Sequence, residues 1–357
     1  MKNNYLESLN PEVREYFKIL SPEFPEWLLD YINTPEMQRI GGISIFCGTD
    51  YTKIFNNRFW YSNLEHSVGV ALIIWHFTQD KKQTLSGLFH DIATPTFKHC
   101  IDFMNGDSER QESTEDLTED IIKNSKEIMD LLKRDNIKLE EVSDYHIYPI
   151  ADNDTPKLSA DRFEYTFANG LSFSRIKLWD LETIKEIYND VYISKNEENI
   201  DELAFKTPSI CEKYVTIIAD LWPQWISNED RVTLQFFADI VKSMNAKGLV
   251  SIYDLYTYSE KDIVNRILNC QDSYIKDSFI KFQNSVSVWN SDTPVSDKYC
   301  ISARGKRRYI VPLVNDNGKM ERINNISLTA KKAIDNYLQI EQPKFVGLDF
   351  NFVPYNN

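Results

Sequence analysis

Residues 86–100 read SGLFHDIATPTFKHC and hold two of the chain's five histidines. His90 and Asp91 sit side by side in an apolar run, and His99 follows nine residues later. An ionised aspartate inside a core is costly unless a cation or several donors compensate it. Two more residues of these types fall on apolar segments: His66 in SNLEHSVGVALIIWHF and Asp161 in LSADRFEYTFAN. Any one of them alone reads as a hydrogen-bonded core histidine or a helix-capping aspartate. Together, two imidazoles and two carboxylates suit one borderline or hard divalent ion, with positions left for water and substrate.

The bulk composition bounds the rest. The 357 residues allow one large domain or two smaller ones, and 42% hydrophobic content supports a substantial core. No apolar run approaches the roughly 18 residues a membrane helix needs. The N-terminus, MKNNYLESLNPEVREYF, has no apolar signal-peptide core. Cys47, Cys100, Cys211, Cys270 and Cys300 are far apart and form no CxxC. That pattern suggests free thiols in a reducing cytoplasm. A net charge of −14 argues against non-specific nucleic-acid or membrane binding. It leaves room for a small anionic substrate, because a metal with a few Lys or Arg reverses the field within one pocket.

Helical signals dominate residues 1–290. SPEFPEWLLDYI and TPEMQRI each open with a hydroxyl residue followed by Pro. Ser62 and Glu65 stand at capping-box spacing before an all-round apolar, hence buried, helix. TLSGLFHDIA is a second apolar helix, with Pro95 barring continuation. STEDLTEDIIKNSKEIMDLLKR reads as one half-exposed helix with Leu117, Ile121, Ile128 and Leu132 on one side. LSADRFEYTFAN is a further helix. Beyond residue 290 the texture changes: a β-hairpin turning at NDNG, a helix over LTAKKAIDNYLQI and a last strand in KFVGLDFNFV. The expected fold is mostly α, a helical bundle over 1–290 with a small α+β subdomain over 291–357.

The order His66, His90-Asp91, Asp161 resembles the HD-domain metal-dependent phosphohydrolases. Around it, MQRIGGIS, FNNRFWYSNLEHSVGVA, GLFHDIATPTFKHCIDF, ERQES and LSADRFEYTF are similar to the branch of deoxynucleoside triphosphate triphosphohydrolases, over about residues 34–170. YTYSEKDIVNRI is a weaker match. The resemblance implies that His66, His90, Asp91 and Asp161 ligate one divalent metal, be it Mn, Fe, Ni, Co, Zn or Mg. It places a catalytic histidine and its orienting carboxylate at His99 and Asp102. It places a phosphate contact at Arg162 and a sugar-packing ring at Tyr165. It also implies a small phosphorylated substrate, a nucleotide foremost, and assembly with further copies of the chain.

Three positions depart from that branch. Arg is usual where Asn63 stands, His-Glu where Gln111-Glu112 stands, and a sugar-contacting carboxylate where Asn169 stands. Losing the Arg removes a bidentate phosphate clamp. Losing the His removes a proton donor worth roughly 10²- to 10⁴-fold. The expectation is therefore an altered substrate, or a nucleotide-binding regulatory protein that has lost turnover. Lys98, Arg110 and Arg58 are the cations at hand to replace the missing charge. His76 reads as structural. His146 with His99 could make a second metal position, as in di-iron HD oxygenases. The run RGKRRY, which begins at Arg304, reads as a solvated hairpin face in preference to a phosphate-binding patch.

Overall fold

A computed structural model describes residues 5–111, 117–173 and 178–355. The chain is mostly helical, and its central element is the helix Asn63–Thr78. The capping box forms as expected: Ser62 Oγ accepts the Glu65 N–H at 3.2 Å, and the Glu65 carboxylate accepts the Ser62 N–H at 2.5 Å. From Asn63 to Ile74 almost every residue is buried, so the helix is enclosed on all sides.

The helix Lys81–Phe89 packs on it closely enough that a Cβ on Gly87 would lie 2.2 Å from Ile74 Cδ1. It ends at Phe89, well before Pro95. There the chain passes into tight turns, the Ile92 N–H donating to Phe89 O at 2.9 Å and the Thr94 N–H to Asp91 O at 3.0 Å, and half-buried Arg39 holds the loop by donating to the carbonyls of Ile92 at 2.8 Å and Thr94 at 2.9 Å. His90 and Asp91 thus emerge at the end of one buried helix, opposite the first turns of another.

The acidic segment is two helices, Thr118–Asn124 and Lys126–Arg134, rather than one. Ser125 has extended backbone and caps the second, its Oγ accepting the Ile128 N–H at 3.2 Å. Ile128 and Leu132 are buried, while Leu117 is exposed. The helix Ala160–Ser172 follows Ser159, whose Oγ accepts the Arg162 N–H.

Seven short strands form two small sheets among the described residues. They are β1 (Val191–Lys195), β2 (Asp201–Phe205), β3 (Trp289–Ser291), β4 (Tyr299–Ile301), β5 (Leu313–Asp316), β6 (Lys319–Arg322) and β7 (Phe345–Leu348). One sheet runs β1-β2-β5-β6 and the other β3-β7-β4. The β5–β6 hairpin turns on Asn317 and Gly318, both at positive φ as a type I′ turn requires. The hairpin β1–β2 lies in a region where only helical signals stood out. Strand β5 pairs in parallel with β2, and the Val311 N–H donates to Pro156 O at 2.7 Å. The segment after residue 290 is therefore bonded into the sheet and loops that precede it.

The helix Ala160–Ser172 is pinned by Trp179, whose buried ring lies against Gly170: a Cβ there would fall 1.8 Å from Trp179 Cδ1. Replacing Gly170 with Ala should cost about 1–3 kcal/mol through overpacking. A urea or thermal melt equal to wild type would show that Trp179 does not depend on that gap.

Candidate metal centre and cavity

Two helices and the loop that follows a third bring the histidine and aspartate side chains to one point. His66 Nε2 stands 3.1 Å from His90 Nε2 and 3.1 Å from Asp161 Oδ1. Asp91 Oδ2 faces the same two nitrogens at 3.8 and 3.6 Å. The other ring nitrogens are already committed. His90 Nδ1 donates to Gly87 O at 2.7 Å, and His66 Nδ1 donates to the Glu164 carboxylate at 2.5 Å. In neutral rings both Nε2 lone pairs then face each other across 3.1 Å, which is unfavourable unless a cation lies among them.

The electrostatics point the same way. Burial disfavours a charged His66, yet Glu164 and Asp161 outweigh it and push its pKa up to about 10. Burial likewise raises Asp161, but His66 and His90 hold it down at about 2. Asp91 is lowered too, despite burial, chiefly by Lys98 and the two histidines. The donor set is two imidazole nitrogens and carboxylate oxygens, which fits a divalent transition ion. Among the described residues His66, His90 and Asp161 form the one group of three or more such side chains with ligand atoms within 4.8 Å of one another. Asp91 joins from the side, with its Oδ2 accepting from Lys98 Nζ at 2.8 Å.

Glu164 is the residue the sequence reading missed. It is fully buried, and besides His66 it accepts from Tyr61 OH at 2.6 Å and Tyr16 OH at 3.4 Å. Gly69 makes the room: a Cβ there would lie 2.6 Å from Glu164 Oε1. A carboxylate that takes the far nitrogen of a ligating imidazole fixes its tautomer and aims its lone pair. The signal was in the sequence, as a carboxylate three residues past Asp161 within an apolar helix.

The cluster lies at the wall of a cavity of about 880 Å³ that His99, Gln111, Tyr165, Asn169 and Arg308 also line. His99 Nδ1 donates to Asp102 Oδ2 at 3.0 Å, so Nε2 carries the lone pair. That lone pair accepts from an Arg308 N–H at 3.2 Å. Burial is the main cause that pushes His99 down to about 4, so the ring is neutral at pH 7. It sits just past Phe97 and Lys98, two consecutive non-glycine residues at φ +68° and +46°. Such left-handed backbone costs roughly 1–2 kcal/mol per residue. Thr96 anchors the turn by donating its hydroxyl to Leu255 O and Tyr258 O, and Phe97 packs on Phe237 at 4.4 Å.

The remaining predicted residues divide by what holds them. Asn63 is fully buried beneath Lys98, accepting from its ammonium and reaching Asp91 O at 3.4 Å. It therefore supports Lys98 from below. Gln111, buried and at φ +58°, accepts from Arg308. Asn169 donates to Tyr165 O at 2.8 Å, and Tyr165 packs edge-on against Trp225. Arg162 lines the cavity but is bound to Asp152 at 2.7 Å, to Ser159 Oγ at 2.8 Å and to Asn153 O. Arg58 is paired with Glu12 and Arg110 with Asp107, both away from the cavity wall. Of the three cations expected to replace the missing charge only Lys98 lines the cavity, and Lys306 and Arg308 line it as well. The basic run is thus no mere solvated face, because two of its cations enter the cavity. His146 is bound to Asp144 at 2.9 Å on the cavity rim, and His99 faces a guanidinium. Among the described residues these two histidines assemble no second ligand group. His76 packs among Phe77 and Tyr188, as a structural residue would.

Comparison with known proteins bears on the fold. No family model matches the chain. The uncharacterized protein YdhJ of Bacillus subtilis is 21% identical over 306 residues, 85% of this chain and 89% of its own. The metal-dependent phosphohydrolase cns2 of Cordyceps militaris is 24% identical over 157 residues, 44% of each chain. A hypothetical protein from Aquifex aeolicus shares the fold at a TM-score of 0.63 and 15% identity, over 91% of this chain and 93% of its own. A phosphohydrolase from Bacteroides thetaiotaomicron does so at 0.63 and 13%, over 91% and 96%. The chain therefore has the fold of a phosphohydrolase and a partial sequence relative that is a metal-dependent one.

If Glu164 aims His66, replacing it with Gln should weaken divalent-metal affinity by roughly 10- to 100-fold. Competition against a chelator measures this. An unchanged affinity would mean that the Nδ1 partner is immaterial.

Proposed function

We propose that this chain is a metal-dependent phosphohydrolase of the HD type, and that its substrate is a nucleotide-sized phosphate monoester. The observation that carries the reading is the convergence of both Nε2 atoms and Asp161 on one point at the wall of a polar cavity. His66, His90 and Asp161 would hold the ion, with Asp91 as the fourth ligand. A divalent ion there supplies an acidified water and neutralises charge on the phosphoryl group.

The residues of the chain account for the rest of the chemistry. Asp102 holds His99 in the tautomer whose Nε2 faces the cavity. In hydrolysis the P–O bond to the leaving group breaks, water supplies the new oxygen, and the leaving oxygen needs a proton. His99 accepts a proton at Nε2 from the cavity and returns it to that oxygen. Tyr165, Trp225 and Phe173 give the cavity the aromatic surface a nucleoside needs, and Asn169 gives it an amide. The triphosphate reading loses support at the positions that matter to it. Asn63 is taken up with Lys98, and Arg162 is neutralised by Asp152. That leaves a charge supply better matched to one phosphate than to three.

The test is a panel of nucleoside monophosphates, cyclic nucleotides, NTPs and dNTPs with Mn²⁺, Fe²⁺, Co²⁺, Ni²⁺ or Mg²⁺. Orthophosphate release from a monophosphate is expected, and His99→Ala should lower it by roughly 10²-fold or more while metal content holds. Tripolyphosphate from a dNTP as the main product would sink the monoester reading. Binding without turnover on any substrate would make the chain a regulatory HD protein.

A further inference from the structure

The cations around the cavity are not equivalent. Lys98 is tied to Asp91 and Asn63, and Arg162 to Asp152. Arg308 differs. Its hydrogen bonds go to His99 Nε2 and Gln111 Oε1, both neutral acceptors. Among the described residues these are its side-chain partners, and neither is a carboxylate. Asp230, in the same wall, feels its field. Among the described residues this half-buried guanidinium has neutral partners and is under-compensated, which suits it to an anion arriving in the cavity.

The chain holds Arg308 there from both sides. Gly305 exchanges two hydrogen bonds with the Gln342 side chain, at 2.9 and 3.2 Å. Arg307 turns the other way, donating to Tyr337 O and Ile340 O. Val311 then bonds Pro156 O, next in sequence to Thr155 of the cavity wall, just before β5 joins β2. A residue anchored three positions before and three after has little freedom beyond its own rotamers.

We infer that Arg308 is the anchor for the substrate's phosphate, and that on binding it exchanges its bond to His99 Nε2 for bonds to phosphate oxygens. The inference rests on the phosphohydrolase reading above and names the residue that reads the substrate. While the cavity lacks an anion, the guanidinium occupies the His99 lone pair. When phosphate takes the guanidinium, Nε2 is released for proton transfer beside the leaving oxygen. Phosphate recognition and readiness of the proton-handling group are then one event. It also follows that the C-terminal segment, far from His99 in sequence, completes the site.

The experiment measures binding of inorganic phosphate to Mn²⁺-loaded protein by calorimetry, for wild type, Arg308→Gln, Arg308→Ala and Arg308→Lys. Gln keeps an N–H donor for His99 but carries no charge. Phosphate affinity should fall about 10-fold or more in the Gln and Ala variants, with Lys recovering part, while metal content matches wild type. Gln affinity equal to wild type would reduce Arg308 to a spacer for His99 and overturn the inference alone. Wild type that binds no phosphate would overturn the phosphohydrolase reading as well. A measurement on wild type covers the case of variants that fail to fold: phosphate should slow phenylglyoxal labelling of Arg308 in the metal-loaded protein. Labelling at an unchanged rate would contradict the anchor.

Discussion

The structure turns on the hydrogen bond between His66 Nδ1 and Glu164. A carboxylate with no exposed surface is among the most expensive groups a core can hold. Removing one partner from such a buried pair costs roughly 3–5 kcal/mol. Tyr16 and Tyr61 contribute their hydroxyls to it, and Gly69 gives up a side chain to make room. That much accommodation for one hydrogen bond makes sense if the bond's product matters. Its product is an imidazole whose other nitrogen points at His90 and Asp161.

The same logic extends along the chain in both directions. Because His66 lies in the first turns of a helix buried all round, its position is set by packing that cannot shift without opening the core. His90 and Asp91 must meet it from a loop, and Arg39 holds that loop by capturing two carbonyls. Past the loop, Phe97 and Lys98 adopt left-handed backbone, which is stored where the chain must present Lys98 inward to Asp91 and His99 outward to the cavity. The site is built from strain and burial that the surrounding helices hold in place.

How much of this was legible depended on the distance over which each feature is decided. His66, His90 and Asp161 were readable because a titratable residue in an apolar run needs a partner, and that is a local observation. The capping box at Ser62 and the turn at Asn317-Gly318 were readable for the same reason. The break at Ser125 was not, since an amphipathic pattern continues through it and masks the local cap that Ser125 places on Ile128. The hairpin β1–β2 was hidden because β2 is held in parallel by β5, far along the chain, a pairing that no local pattern announces. Glu164 was within reach of the rule applied to Asp161. Arg308 was out of reach: a short basic run says nothing about which side chain turns inward, and its partner His99 lies 209 residues away.

The account requires a divalent ion between the two histidines, and anomalous X-ray scattering from crystals of Mn²⁺-loaded protein tests that most directly. A single anomalous peak is expected among His66 Nε2, His90 Nε2 and Asp161, with metal–nitrogen distances of roughly 2.0–2.3 Å. An empty cluster, with His66 as an imidazolium bound to Asp161, or a peak held only by rim residues such as His146 and Asp144, would contradict it.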